Sequence, residues 1–256
     1  MGNYVNVIKE GTKSYIGITE KPFSKVLSIE KKLSLHRFSY EGSFNKQIVY
    51  YDTEGGLLEK AGIILSKTFE PNKCYFKVER QTYLPKSFSR RKEIVFIHEV
   101  GPKDKVMDHA FFLSDGIKSL FTIQFTIDLD NVLKNIFPKI VILSKVTKYK
   151  VLSGGGFKAQ LYFYSSKIKN LTTKRVAEAN LLNVELDSPI TYLPAFNYFN
   201  TQIEKNCKEL IPFEESLYDY SHRVTKPLPE KDKLTKKQEK EKQKLKQKKI
   251  DDVIIG

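Results

Sequence analysis

Leu27-Ser28-Ile29-Glu30-Lys31-Lys32-Leu33-Ser34-Leu35 decides how this chain folds. Side chains alternate between faces along an extended strand. Leu27, Ile29, Leu33 and Leu35 therefore fall on one side, and Ser28, Glu30, Lys32 and Ser34 on the other. The first face needs a core; the second sets a carboxylate beside an ammonium. The same alternation recurs downstream. Cys74, Phe76 and Val78 alternate with Lys73, Tyr75, Lys77 and Glu79. Phe157, Ala159, Leu161 and Phe163 alternate with Lys158, Gln160, Tyr162 and Tyr164, and Leu182, Val184 and Leu186 with Asn183, Glu185 and Asp187.

Strands are predicted over 25–35, 46–53, 62–69, 73–80, 90–100, 139–150, 157–164 and 181–187, mostly joined by short polar or Gly-containing links. Helical spacing interrupts them. One segment runs through Ile117, Leu120 and Phe121 behind Ser114-Asp115-Gly116, and another through Val132, Leu133 and Ile136 behind Asp128 or Asp130, with Pro138 as its stop. A late helix starts at Pro194 and carries Ala195, Phe196, Phe199, Ile203 and Cys207 on one face. A sandwich would turn the polar strand faces to solvent; a closed antiparallel barrel would turn them inward around a ligand. Alternation alone does not choose between the two.

Tyr50-Tyr51-Asp52-Thr53 and Leu57-Leu58-Glu59-Lys60-Ala61-Gly62 follow the opening strand. Together they resemble the CYTH domain of the triphosphate tunnel enzymes. Members of that superfamily open with E-x-E-x-K, continue with a Tyr-Tyr/Phe-Asp-Thr strand end, and turn through a short Leu-rich segment ending in Ala-Gly. The resemblance spans most of residues 25–220. It implies an α+β fold: an eight-stranded, mostly antiparallel, tunnel-like barrel with helices packed outside. It also implies metal-dependent hydrolysis of an inorganic or organic triphosphate, with Mg²⁺ or Mn²⁺ held by carboxylates; the cytoplasm is expected separately, from two cysteines that make no disulfide framework.

The family's roles transfer position by position. Glu30 matches the second acid of the opening motif and Lys32 its lysine. Arg91 and Glu93 resemble the family's R-x-E strand, Arg91 for phosphate and Glu93 for metal. Glu185 matches the second acid of the closing E-x-E motif, and Asp187 shares its face. Lys145 and Lys148 stand where relatives place a basic cluster before a tyrosine, here Tyr149. Lys77 and Lys158, on the polar strand faces, complete the phosphate-binding set. Glu30, Glu93 and Glu185 are the expected catalytic residues, and these with Asp187 the expected metal ligands. The chain also departs from the pattern. Ser28 and Asn183 replace the leading acids of both E-x-E motifs, and Leu65-Ser66-Lys67-Thr68 stands where relatives show L-R-x-R. Lost carboxylates weaken cation binding, and lost arginines remove bidentate phosphate grips. Two alternatives follow: a non-catalytic binder of nucleotides or polyphosphate, and an RNA 5′-triphosphatase whose basic tail grips the strand.

The charge balance is consistent with an anionic partner. The chain has 256 residues and a net charge of +14. Lys226 to Lys249 hold eleven lysines against four acids. This predicts a folded domain over 1–225 and a flexible or solvated helical, Lys-rich tail over 226–256. Nucleic acid could engage the tail, although no aromatic is there for stacking. There is no run of 18 apolar residues, so no membrane partner is expected, and the N-terminus lacks the blocks of a signal peptide. Cys74 and Cys207 make neither a metal spacing nor a disulfide framework. The four histidines are scattered. Gly154-Gly155-Gly156 precedes a strand and lacks a G-K-[ST] ending, which reads as a hairpin turn.

Overall fold

The computed structural model describes residues 5–9, 14–19, 33, 36–80, 93–105, 129–213 and 215–227, with side chains at all of these except 5–9, 14–16, 80, 93–96, 129–131 and 212. Period-two alternation builds ten strands: β1 (Val5–Lys9), β2 (Ser14–Thr19), β3 (His36–Asp52), β4 (Ile63–Glu70), β5 (Lys73–Arg80), β6 (Glu93–Glu99), β7 (Phe137–Ser153), β8 (Lys158–Asn170), β9 (Val176–Leu186) and β10 (Ile211–Pro212). They form one sheet in the order β1-β6-β5-β4-β3-β7-β8-β9-β2-β10, and every neighbouring pair is antiparallel.

The sheet curls. In a flat sheet β4 would lie roughly 14 Å from β8, three strand steps away. Yet Ile64 of β4 shares one buried cluster with Ile168 of β8 and Ala179 of β9, gathered with Tyr218. The result is a curled, tunnel-like sheet that ends in β1 on one side and β10 on the other, and among the described residues no ladder joins those two strands.

Seven of the eight expected strands correspond to β3–β9. The eighth, 25–35, lies outside the described residues apart from Leu33, as does the segment through Ile117, Leu120 and Phe121. β1, β2 and β10 are additional, short strands at the two ends of the sheet. Gly154-Gly155-Gly156 makes the β7–β8 hairpin turn, with Gly156 at φ +85° and its N–H on the Ser153 carbonyl at 3.0 Å.

Four α-helices are described: α1 (Leu57–Lys60), α2 (Leu129–Lys134), α3 (Leu193–Asn206) and α4 (Leu217–Val224). α3 starts as its spacing predicts, with Pro194 in the first turn, and buries Phe196, Phe199 and Ile203. These pack on the convex side of β7–β9, against Phe157, Leu161, Phe163, Leu182, Val184 and Leu33. Each such fully buried side chain contributes about 1.5–3 kcal/mol. α1 and α2 pack their Leu58, Val132 and Leu133 with Ile63, Leu65, Phe76 and Val78 on the same side of β4 and β5. α2 ends at Lys134, ahead of Pro138, which is the second residue of β7 rather than a helix stop.

α4 packs on the other side of the sheet from α1, α2 and α3. Its Tyr218 joins Tyr50, Ile64, Ile140, Ile142, Ile168 and Ala179. The ladders place Tyr50, Ile140, Ile142 and Ile168 on the concave face, so α4 closes one end of the curled sheet. Asn170 donates to Thr225 Oγ1 at 3.1 Å, and Thr173 Oγ1 to the Thr225 carbonyl at 2.9 Å, fastening the end of the helix. No described helix is long and apolar enough to cross a membrane. By its contacts the chain divides into two compact units, 1–225 and 226–256, and all these elements belong to the first.

Candidate functional site

From the α4 end the concave face changes in layers. The floor is apolar, with Ile140, Ile142 and Ile168. Next come hydroxyls: Ser144 and Ser166 share a 2.8 Å hydrogen bond, while on β4 the buried Ser66 and Thr68 lie in register with Ile140 and Ile142. Ser66 and Thr68 occupy the positions where the resembled family carries arginines, so this part of the lining lacks their charge.

Above and around it the lining is charged. Lys46 on β3 meets Glu70 on β4 at 2.8 Å, and Lys73 on β5 meets the other Glu70 oxygen at 3.4 Å. Lys77 and Glu79 pair along β5. Lys148 on β7 meets Glu41 on β3 at 2.8 Å, with its ammonium 5.8 Å from the centroid of the Tyr162 ring. Nearer the open end Lys150 stands opposite Gln160, and Gln160 opposite Glu185. Gln160 Nε2 donates to Asp187 at 3.2 Å, and Asn183 Nδ2 to Glu185 at 2.7 Å.

Tyr162 reports how these charges converge. Burial first, then the carboxylates of Glu185, Glu41, Asp187 and Glu70, push its hydroxyl up to about 12. Those four acids come from β9, β3, the end of β9 and β4. The Tyr162 hydroxyl donates to Gln160 Oε1. Tyr164 is raised by burial and then by Glu185. Tyr75, across the trough on β5, is pushed up to about 12 by burial and then by Glu70. For Glu70, burial alone would raise the carboxyl, but the ammonium groups of Lys46 and Lys73 outweigh it and hold it below its ordinary 4.5.

The expected site residues divide accordingly. Lys77, Lys148, Lys158, Glu185 and Asp187 belong to the concave face or its mouth. Lys145 stands on the opposite face of β7, exposed, between Asn45 and Ser165. Glu93 is placed in β6 opposite Lys9, its side chain outside the description. Glu30, Lys32 and Arg91 lie outside the described residues. Lys46, Lys150, Glu41 and Glu70 were not singled out from the sequence. The alternation that would reveal Lys46 continues upstream of 46, through a strand that starts at His36.

Among the described residues no three His, Cys, Asp or Glu side chains gather as a metal centre. Glu185 and Asp187 offer oxygen donors of the kind Mg²⁺ and Mn²⁺ take. Most other described carboxylates of the trough are engaged by lysine.

No protein-family model and no curated protein matches the chain. Solved structures do. A nominal adenylyl cyclase from Hippeastrum, in which a triphosphatase activity is dominant, has a TM-score of 0.53 at 12% identity, covering 86% of this chain and 98% of that one. A nominal adenylate cyclase from Bacillus halodurans scores 0.47 at 12% identity over 82% and 98% of the two chains. A Pyrococcus horikoshii protein scores 0.41 at 11% over 80% and 95%. Antiparallel strands curled around a charged interior, and the match over nearly the whole Hippeastrum chain, lead to one architecture: this protein has the fold of the CYTH, or triphosphate tunnel, superfamily.

Proposed function

We propose that the trough binds a triphosphate, inorganic or organic, and hydrolyses it with the help of Mg²⁺ or Mn²⁺. The observation that carries this reading is that lysines from β3, β5 and β7 and carboxylates from β3, β4, β5 and β9 share the concave face, with Lys148 against the Tyr162 ring. Lysines placed along a half-enclosed channel can neutralise successive phosphoryl groups, and in a partly dry site each contact counts for more than in water.

Lys148, Lys77 and Lys46 bind and align the phosphates, joined by Lys32 and Arg91, and Lys158 draws them in at the mouth. Glu30, Glu93, Glu185 and Asp187 would hold the divalent ion. When bound, that ion polarises the transferring phosphoryl group. Asn183 orients Glu185 through its amide, and a carboxylate at the mouth takes the proton of the attacking water. The hydroxyl and apolar layers below, closed by α4, exclude bulk water from the inner end.

A second reading, a binder without turnover, is favoured by Asn183 in place of an acid and by the pairing of Glu41, Glu70 and Glu79 with lysines. Phosphate release from tripolyphosphate, ATP and triphosphate-ended RNA, each with Mg²⁺ and with Mn²⁺, separates the readings. Metal-dependent release that is lost in Glu185→Gln, with the melting temperature retained, is the expected result. Tight binding without release supports the binder, and neither binding nor release ends both. Release from RNA ends alone selects an RNA 5′-triphosphatase.

A further inference from the structure

Glu41 reaches the trough by an irregularity of its strand. Along β3, Tyr40 faces Tyr149 and Gly42 faces Lys148, so one extra residue is accommodated between them. Tyr40 lies on the convex side with its ring 5.6 Å from Tyr149, and Ser43 lies there too, 3.1 Å from Thr147 Oγ1. Regular alternation cannot put residues three apart on one face; a β-bulge can. Gly42 supplies it, at φ +136°, a conformation that side chains with a Cβ rarely adopt. The bulge turns Glu41 inward onto Lys148, where its charge is also felt by Tyr162.

We infer that Glu41 is an internal counter-ion that holds Lys148 in the free protein, so that an entering anion binds this lysine only by displacing a carboxylate of the same chain. The inference rests on the reading of the trough as a phosphate site and adds to it a residue that sets its affinity. A tethered carboxylate competes at high effective concentration. A single phosphoryl group gains one lysine and breaks one existing pair, which leaves little net gain. A triphosphate grips several lysines at once and still binds after meeting that cost. Glu41 thus lowers the affinity of every anion at Lys148 by a similar factor, and the preference for polyphosphates comes from the number of lysines they reach. Glu41 is partly exposed, which keeps the displacement shallow, and the strand pair need not open.

Calorimetric titration with sodium tripolyphosphate and with orthophosphate, at fixed ionic strength and without divalent ion, tests this on four proteins: the full chain, Glu41→Gln, Lys148→Gln and the double variant. Glu41→Gln is nearly isosteric and should melt like the parent. It should bind both anions about two- to fivefold more tightly, the range set by a partly exposed ion pair. In the Lys148→Gln background the same change should do nothing. A gain that persists without Lys148 would mean general repulsion and overturn the counter-ion role, as would weaker or unchanged binding in Glu41→Gln. If Lys148→Gln binds tripolyphosphate as well as the parent, the phosphate-site reading fails for this lysine, whatever Glu41 does.

Discussion

Asp52 shows how a residue can be legible without being chemical. Its carboxylate is buried and accepts three backbone N–H groups: Thr53 at 2.7 Å, Leu58 at 2.9 Å and Glu59 at 3.1 Å. Thr53 Oγ1 takes a fourth, from Leu57 at 3.0 Å. Asp-Thr followed by a Leu-rich turn is therefore a cap for the short helix α1, which pins Leu58 into the core. The part of the sequence that best revealed the fold serves its scaffold. Glu41 is the converse, hidden from the sequence because a bulge breaks the phase on which alternation depends. Lys67 was passed over for the same kind of reason. A charged side chain on an apolar strand face looks exposed, yet it is buried, with its ammonium on the carbonyls of Gly101, Pro102 and Asp104. His36 gives a prediction at this scale. Burial against Phe157 and Phe199 lowers its pKa from the ordinary 6.5. The unfolded chain then takes up a proton below 6.5 that the folded chain refuses, so stability is lost as pH falls from there towards the folded-state value. His36→Phe should flatten the denaturation midpoint against pH in that window. An unchanged acid slope would assign the sensitivity elsewhere.

Elements were legible where their period was long and their flanks marked. β5 occupies the span its alternation predicts, and α3 was visible from Phe196, Phe199, Ile203 and Cys207. The short strands β1, β2 and β10 were not, because so few residues carry too little alternation to stand out. α4 had a signal that went unread: Ser216-Leu217-Tyr218-Asp219 places a cap residue three before an acid. In the structure Ser216 Oγ accepts from the Asp219 N–H at 3.0 Å and donates to its carboxylate at 2.8 Å. What no sequence period could tell is the side of the sheet on which α4 packs. That depends on Tyr218 finding Tyr50 at 5.3 Å between ring centroids, across a strand more than 160 residues away. Ser216→Ala should cost about 1 kcal/mol in equilibrium denaturation, the usual loss for a removed helix cap. Because α4 closes the inner end of the trough, the variant should also show faster amide exchange along Leu217–Val224. Unaltered exchange there would mean that the cap does not hold the helix.

At the scale of the whole molecule the charge falls into two parts with different physics. The first unit, 1–225, keeps a net positive charge, but in its trough several of the lysines already have carboxylate partners, so selectivity there comes from geometry. The second unit, 226–256, carries eleven lysines up to Lys249, with three leucines in that span to bury. A composition so rich in lysine and poor in apolar side chains has little to contribute to a core. Every proposed ligand for phosphate or metal lies before residue 190. Removing the chain after Pro229 should therefore shift the melting temperature by less than about 2 °C. Affinity for tripolyphosphate should be unchanged. Binding to long polyanions should fall, and that difference between full and shortened chains should shrink as salt is raised, since screening acts on exposed charge. A shortened chain that unfolds, or that no longer binds tripolyphosphate, would place residues beyond 229 in the domain or in its site.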